Sequence, residues 1–189
     1  MEKRGILIIL SGPSGVGKGT VRKEVFKHDD LNLKYSISMT TRAPRVGEID
    51  GIDYYFVSKE RFEQAIRDQE LLEYAEFVGN YYGTPKAMVE NELNKGFNVM
   101  LEIEVDGANQ VIRNCKDCVT IFLVPPDFQE LEQRIRKRKT EEEQVVQKRL
   151  FKARQEIELT NNYRHVVVND DVESTAQRVI DIIRSYQKK

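Results

Sequence analysis

A glycine-rich loop directly follows a short apolar run near the start of the chain. The apolar run is residues 6–10, and the loop reads Ser11-Gly12-Pro13-Ser14-Gly15-Val16-Gly17-Lys18-Gly19-Thr20. Glycines let successive backbone N–H groups turn toward a phosphate chain, and the N-terminus of the following helix adds a positive partial charge. Lys18 supplies a full charge for the β- and γ-phosphates. A strand-to-helix glycine turn without a ligand is the alternative, but the pattern favours a nucleoside triphosphate site.

The loop departs from the usual phosphate-binding pattern at one position. A serine or threonine normally follows the lysine, whereas here Gly19 follows it and Thr20 comes one residue later. Mg²⁺ keeps several water ligands readily. We therefore expect Mg²⁺ to be held mainly by ATP phosphates and water, with Thr20 and Glu102 as candidate protein ligands.

Composition limits the class of protein. At 189 residues the chain is expected to form a single domain, 1–189, with 40% hydrophobic and 32% charged residues and a net charge of −1. This balance argues against a general nucleic-acid binder, and no segment is long and apolar enough for a membrane span. We expect a soluble cytoplasmic protein without nucleic-acid or membrane partners, either a monomer or a homodimer.

The two cysteines, Cys115 and Cys118, have a C-x-x-C spacing. A zinc site would need about two further ligands, and the two histidines lie far away in the sequence. The chain also lacks a thioredoxin-like context. We predict a loop cysteine and a strand cysteine, both reduced.

Apolar runs alternate with helical patterns along the chain, which predicts an α/β fold with a mainly parallel sheet flanked by helices. Strands are predicted at residues 5–10, 98–103, 119–124 and 166–168, and helices at 18–26, 59–68, 85–95, 107–114, 128–138, 141–160 and 174–187. Thr140 and Glu143 have capping-box spacing. Two regions interrupt the alternation, so we expect a core of 1–34, 85–125 and 157–189, an insertion at 35–84 and a helical lid at 126–156.

A polar loop in the insertion carries two arginines. Arg42 and Arg45 lie in residues 36–45, followed by Gly47-Glu48. A guanidinium binds phosphate through two parallel hydrogen bonds. Two guanidinium groups near Tyr54 and Tyr82 therefore suit a monophosphate. The alternative is a solvated loop whose arginines pair with acidic neighbours, and Glu48 is expected to orient Arg42 or Arg45.

Taken together, these motifs resemble those of a guanylate kinase of the bacterial type. The matching segments run in family order over nearly the whole chain: Gly12-Pro13-Ser14-Gly15-Val16-Gly17-Lys18, residues 36–44 with Gly47-Glu48, Asp53-Tyr54, residues 72–76 and 79–84, residues 101–104 with Gly107, Pro125-Pro126, and Val168-Asn169-Asp170. The resemblance implies a fold of the P-loop NTPase type with an inserted GMP-binding subdomain and a lid. It implies phosphorylation of GMP by ATP with Mg²⁺ as cofactor.

The resemblance also implies roles in GMP binding. Residues implied for the GMP phosphate are Arg42, Arg45, Tyr54 and Tyr82, with Glu48 beside them, and those for the guanine are Ser38, Glu73, Thr84 and Glu104, with Glu102 nearby. A carboxylate suits guanine because its N1–H and N2 amine are adjacent donors. Alternatively, Glu73 is an exposed charge, and Glu102 belongs to a buried salt bridge rather than to a metal-bound water. Strand alternation predicts that Glu102 and Glu104 share one face of the sheet.

The basic segment 134–139 is implied to be part of the lid. Arg134, Arg138 and Arg149 match lid arginines that neutralise charge on the transferring phosphoryl group, and with Lys18 and Arg42 they form the predicted catalytic set. Lys139 stands where the family often has glycine. The alternatives are a solvated helix face or a localisation or nucleic-acid patch.

Asn169 is implied to lie beside the adenine, although Asn169-Asp170 could instead cap the last helix. Two other functions stay open at this stage. One is a different nucleoside monophosphate kinase, such as an adenylate-kinase-like enzyme, and the other is a non-catalytic guanylate-kinase-like binding module.

Overall fold

Two sheets and their flanking helices make up the molecule. The structure, a computed structural model, describes residues 3–77, 79–137 and 142–188. In these ranges the strands are β1 (Leu7–Ser11), β2 (Leu33–Tyr35), β3 (Met39–Thr40), β4 (Tyr55–Phe56), β5 (Leu71–Phe77), β6 (Asn80–Pro85), β7 (Asn98–Glu102), β8 (Val119–Val124) and β9 (His165–Val168). The helices are α1 (Lys18–Val25), α2 (Lys59–Arg67), α3 (Lys86–Asn94), α4 (Val105–Asn114), α5 (Phe128–Arg136), α6 (Glu143–Glu158) and α7 (Val172–Gln187).

The larger sheet has five strands in the order β2-β7-β1-β8-β9, all parallel. Every residue of β1 is buried, because helices cover both faces. Ile8 and Leu10 pack in one hydrophobic cluster with α1, α5, α6 and α7, whereas Leu7 and Ile9 pack in a second cluster with α3 and α4. The predicted α/β class with a parallel sheet flanked by helices is confirmed.

The smaller sheet lies between β2 and α3 in the chain and has the order β4-β3-β6-β5. Its strands β5 and β6 are antiparallel, and β5 forms one edge. Helix α2 covers it through Phe62, which is fully buried and stacks on Tyr81 with 5.4 Å between ring centroids. Ser58 caps α2 by accepting the Arg61 N–H. This sheet therefore has its own small core.

Helices α5 and α6 occupy the region predicted as the lid. Asp127 caps α5 by accepting the Glu130 N–H, and Arg136 at its end pairs with Glu143 at the start of α6. Glu142 holds the N-cap position of α6, so the predicted capping box, with Thr140 as cap and Glu143 three residues later, is wrong. Thr140 itself lies outside the described residues.

Several predicted boundaries shift by a few residues. The parallel sheet has a fifth strand, β2, which the sequence reading missed because it is short, and it takes in Tyr35. Strand β7 ends at Glu102, so Glu104 is not a strand residue but holds the N-cap position of α4. Cys115 ends α4 and Cys118 lies just before β8, so neither is in a strand; both thiols are free. None of the helices in the described ranges has the length and apolar character needed to cross a membrane.

Candidate active site

Two cavities meet at the carboxyl ends of β1 and β7. One, of about 330 Å³, lies between the two sheets, and the other, of about 620 Å³, lies over the glycine-rich loop. Both are lined by Ser14, Lys18, Glu102 and Glu104. Ligands of open α/β sheets bind at such strand ends, so a molecule in each cavity would meet its neighbour at these four residues.

Of the lysines in the described ranges, only Lys18 lines both cavities, and it is 9% exposed. Its ammonium donates to the Gly12 carbonyl oxygen at 2.7 Å and lies 3.3 Å from Oε1 of Glu104. A buried ammonium needs such oxygen partners. In this arrangement the ammonium contacts its own loop and the N-cap residue of α4.

The loop is held from outside by three side chains. Asn169, which is 3% exposed, donates through Nδ2 to the Val16 carbonyl at 2.6 Å, and Arg134 donates to the same carbonyl at 3.2 Å. Arg149 donates to the Ser14 hydroxyl at 2.8 Å. The side chain of Asn169 therefore contacts the loop, while the N-cap of α7 is Asp171 rather than Asn169 or Asp170.

Gly17 shows why this loop needs glycine. Its φ is +102°, a region that side chains disfavour, and a Cβ there would come within 2.6 Å of Asn169 Nδ2. A side chain at Gly17 would therefore push away the amide that holds Val16.

Gly19 faces the carboxylate of Glu102. A Cβ at Gly19 would lie 3.3 Å from Glu102 Oε1, while Oε2 accepts from Arg22 Nε at 2.6 Å. The Arg22 guanidinium also lies over the Tyr35 ring at 4.2 Å. Burial, with Glu102 beside it, raises the pKa of Tyr35 to about 12. The Glu102 carboxylate thus occupies space that a serine or threonine after Lys18 would need. Glu102 also forms an ion pair with Arg22, as the alternative interpretation of this residue predicted.

Arg42, Glu48, Tyr54 and Tyr82 form one group in the insertion. Arg42 donates to Glu48 Oε1 at 2.9 Å, and its guanidinium lies 5.4 Å from the Tyr54 ring, which is edge-on to Tyr82 at 6.0 Å. The Arg42 hydrogen bond lowers the pKa of Glu48, and burial raises the pKa of Tyr54. Glu48 also accepts the Arg45 N–H at 2.7 Å, whereas the Arg45 side chain is exposed. Glu48 therefore contacts the side chain of Arg42 and the backbone of Arg45, and its role in orienting one of these arginines stays a prediction.

Glu73 is a buried carboxyl group, 5% exposed, so its reading as an exposed charge is wrong. The Thr84 hydroxyl donates to its Oε1 at 2.6 Å. Burial raises the pKa of Glu73 to about 7, although the Thr84 contacts act in the opposite direction. A Cβ at Gly107 would come within 2.3 Å of Glu73 Oε2, so this glycine makes room for the carboxylate against α4.

The predicted site residues fall into three groups by position. The cavity between the sheets is lined by Ser38, Tyr54, Glu73, Tyr82, Glu102 and Glu104, and the loop cavity by Ser14, Gly15, Gly17, Lys18, Gly19, Thr20 and Arg134. Arg42 and Thr84 contact residues of the first group rather than line its cavity, and Glu48 contacts Arg42. Arg138 lies outside the described residues.

The sequence patterns did not single out two charged residues, the basic Arg22 and the acidic Glu156. Arg22 lies four residues after Lys18, a spacing that places both on one helix face and could have revealed it. Glu156 of α6 is 4% exposed, with Lys152 Nζ 3.6 Å from its Oε1. Burial, and secondarily the charge of Glu104, raises the pKa of Glu156 to about 7. The pattern of α6 gave no sign that this glutamate would be buried.

Comparison with known proteins agrees with this geometry. The family model described as guanylate kinase matches residues 4–186. The chain belongs to the guanylate kinase family. It is 56% identical to the guanylate kinase of Mesoplasma florum over 97% of this chain, and 55% identical to those of Streptococcus thermophilus over 98% and Bacillus cereus over 96%.

The lengths and the fold can be compared as well. The chain spans 62% of the Mesoplasma florum relative, 88% of the Streptococcus thermophilus relative and 89% of the Bacillus cereus relative. A crystal structure of guanylate kinase from Anaplasma phagocytophilum covers the whole chain with a TM-score of 0.79 and 36% identity; the chain covers 89% of it. These relatives do not favour the adenylate-kinase-like enzyme or the non-catalytic module.

Proposed function

We propose that this guanylate kinase family member transfers the γ-phosphoryl group of ATP to GMP, giving ADP and GDP. The observation that carries the proposal is the junction of the two cavities, where Lys18, Glu102 and Glu104 line both. Phosphoryl transfer needs donor and acceptor phosphates in line and in contact, which one shared wall between two cavities provides. The incoming GMP oxygen is already anionic, so the reaction needs no catalytic base.

GMP occupies the cavity between the sheets in this proposal. The Glu73 carboxylate accepts from guanine N1–H and the N2 amine, while Thr84 holds the carboxylate, and Ser38 and Glu104 complete the base contacts. Adenine has an acceptor at N1 and no N2 amine, so it leaves a buried acceptor unpaired. Sites built on buried hydrogen bonds reject such a base by about 10⁴ or more.

The charged groups of the site divide between the two phosphate chains. Arg42, with Tyr54, Tyr82 and exposed Arg45, binds the GMP phosphate and offsets its repulsion from ATP. Residues 12–20 bind the ATP phosphates, and Lys18, Arg134 and Arg149 stabilise the charge that spreads over the transferring group. The contacts of Arg134 and Arg149 to Val16 and Ser14 support this assignment, because they bring both guanidinium groups to the phosphate-binding loop. Asn169 supports ATP binding by holding that loop.

Mg²⁺ is the cofactor that this reaction implies, and the oxygen donors beside the loop suit it. Glu102 Oε1 lies 3.3 Å from the position that a Cβ would take at Gly19, where the usual hydroxyl ligand is missing, and exposed Thr20 lines the same cavity. Glu102 and Thr20 are therefore the residues that would hold the ion or its water ligands. When bound, Mg²⁺ neutralises charge on the ATP phosphates.

A cytoplasmic role in purine nucleotide metabolism, as a GMP-recycling enzyme, is part of the same proposal. Free Cys115 and Cys118 agree with a reducing compartment.

A coupled assay that compares acceptors tests the function. ATP is supplied with GMP, AMP, CMP or UMP, and ADP formation is followed. We expect GMP to be preferred over AMP by at least about 10⁴-fold in kcat/KM. Preference for AMP would show an adenylate-kinase-like enzyme, and no turnover with any acceptor would support a binding module.

A further inference from the structure

The side-chain amide of Gln110 clamps the main chain of Tyr74. Gln110 Oε1 accepts the Tyr74 N–H at 3.1 Å, and its Nε2 donates to the Tyr74 carbonyl at 2.7 Å. Tyr74 lies in β5, the edge strand of the smaller sheet, and pairs with Gly83 on its other side. One side chain of α4 thus takes the place of a neighbouring strand at this edge.

The same helix face also receives Glu73, the residue before Tyr74. Gly107 lies one turn before Gln110 on α4, and a Cβ there would come within 2.3 Å of Glu73 Oε2. Gly107 therefore leaves the space and Gln110 supplies the hydrogen bonds, so that two consecutive residues of β5 are fixed against one helix face.

Helix α4 also begins directly after Glu104, the residue that carries the second carboxylate of the cavity. Glu104 holds its N-cap position, and the Glu104 carbonyl accepts the Ala108 N–H at 2.9 Å. Glu73 belongs to the inserted sheet, whereas Glu104 follows β7 of the parallel sheet. The separation of the two carboxylates therefore depends on how β5 is attached to α4.

We propose that Gln110 is a specificity-determining positioning residue: through Tyr74 it holds Glu73 at a fixed separation from Glu104, so that both carboxylates face one guanine. This proposal rests on the proposed function, because it assumes that GMP occupies the cavity between the sheets. Recognition of adjacent donors requires acceptors held to within about 0.5 Å. Gln110 itself touches neither substrate and lies away from the loop cavity.

Gln110→Met tests the proposal, because methionine keeps the length of the side chain and removes both hydrogen bonds; Gln110→Ala is a second variant. We expect KM for GMP to rise about tenfold for the loss of two hydrogen bonds, with KM for ATP within about twofold of its original value. Inosine monophosphate lacks the N2 amine, so its kcat/KM should fall less, and the preference for GMP over it should shrink. Asn114→Ala, one turn further along α4, is the matched control and should leave the kinetics unchanged.

A double-mutant cycle with Glu73→Gln separates positioning from a general structural role. If Gln110 acts through Glu73, Gln110→Met has little further effect on kcat/KM for GMP once Glu73 is glutamine. Equal effects of Gln110→Met in both backgrounds, or an equal rise in KM for ATP and GMP, would overturn the proposal. Failure of the unmodified protein to phosphorylate GMP would instead overturn the proposed function, so the two failures are distinguishable.

Discussion

The ammonium nitrogen of Lys18 lies 3.3 Å from Oε1 of Glu104. The loop lysine assigned to the ATP phosphates is thereby paired with a carboxylate assigned to the guanine. The Gly12 carbonyl accepts from the same ammonium at 2.7 Å. This ion pair therefore links the two binding regions.

Glu104→Gln should therefore tighten the binding of ATP when GMP is absent. In the unmodified protein the ATP phosphates compete with the Glu104 carboxylate for Lys18, and the amide removes that competitor. Since the pair is partly solvated, we expect a gain of about two- to fivefold in affinity for a non-hydrolysable ATP analogue, measured by calorimetric titration.

Glu102→Gln is the control for this measurement, because Glu102 pairs with Arg22 rather than with Lys18. It should not tighten binding of the analogue. Weaker or unchanged binding by Glu104→Gln would contradict a competing ion pair.

GMP binding should weaken as the pH falls below about 7. Burial raises the pKa of Glu73 to about 7, so this carboxyl group becomes protonated between pH 8 and pH 6 in the free protein. The protonated group cannot accept from both guanine donors. We expect the dissociation constant for GMP, measured by titration at constant ionic strength, to rise about tenfold between pH 8 and pH 6.

Glu73→Gln distinguishes this effect from protonation of the GMP phosphate itself. The variant retains only the pH dependence that comes from the substrate phosphate, so its profile should be flatter than that of the unmodified protein. Parallel profiles for the two proteins would exclude Glu73 as the titrating group.

Gly19→Ser should reduce activity although it restores the hydroxyl usual at this position. A Cβ at Gly19 lies 3.3 Å from Glu102 Oε1, so the new side chain crowds the carboxylate and disturbs its pair with Arg22. We expect kcat/KM for ATP to fall about tenfold, a cost typical of overpacking. Thr20→Ser is the control at the exposed neighbouring position, and higher ATP turnover by Gly19→Ser would refute the proposed conflict with Glu102.

Local sequence patterns predicted much of the fold because buried parallel strands and amphipathic helices leave periodic signals. The all-buried strand β1 and the helix that begins at Lys18 are examples. Strand β2 was missed because three residues are too few to show a period. The start of α7 was predicted two residues late, since Asp171 caps it and Ser174 supplies a bonded N–H rather than the cap.

Contacts between distant segments account for what the sequence could not reveal about the site. Glu73 looks like one more charge in an acidic segment, and its burial depends on the absent side chain of Gly107, which lies 34 residues away. The clamp of Gln110 on Tyr74 joins residues 36 apart and has no local pattern. Arg22 could have been predicted on the face of Lys18, but its partner Glu102 could not.

The most direct test of the central claim follows the fate of the transferred phosphoryl group. The protein is incubated with ATP radiolabelled at the γ position, with and without GMP, and the labelled products are separated. We predict label in GDP whenever GMP is present, little labelled inorganic phosphate without it, and a loss of transfer of at least about 10²-fold in Lys18→Ala. Label that appears as inorganic phosphate at the same rate with and without GMP would contradict direct transfer between the two cavities.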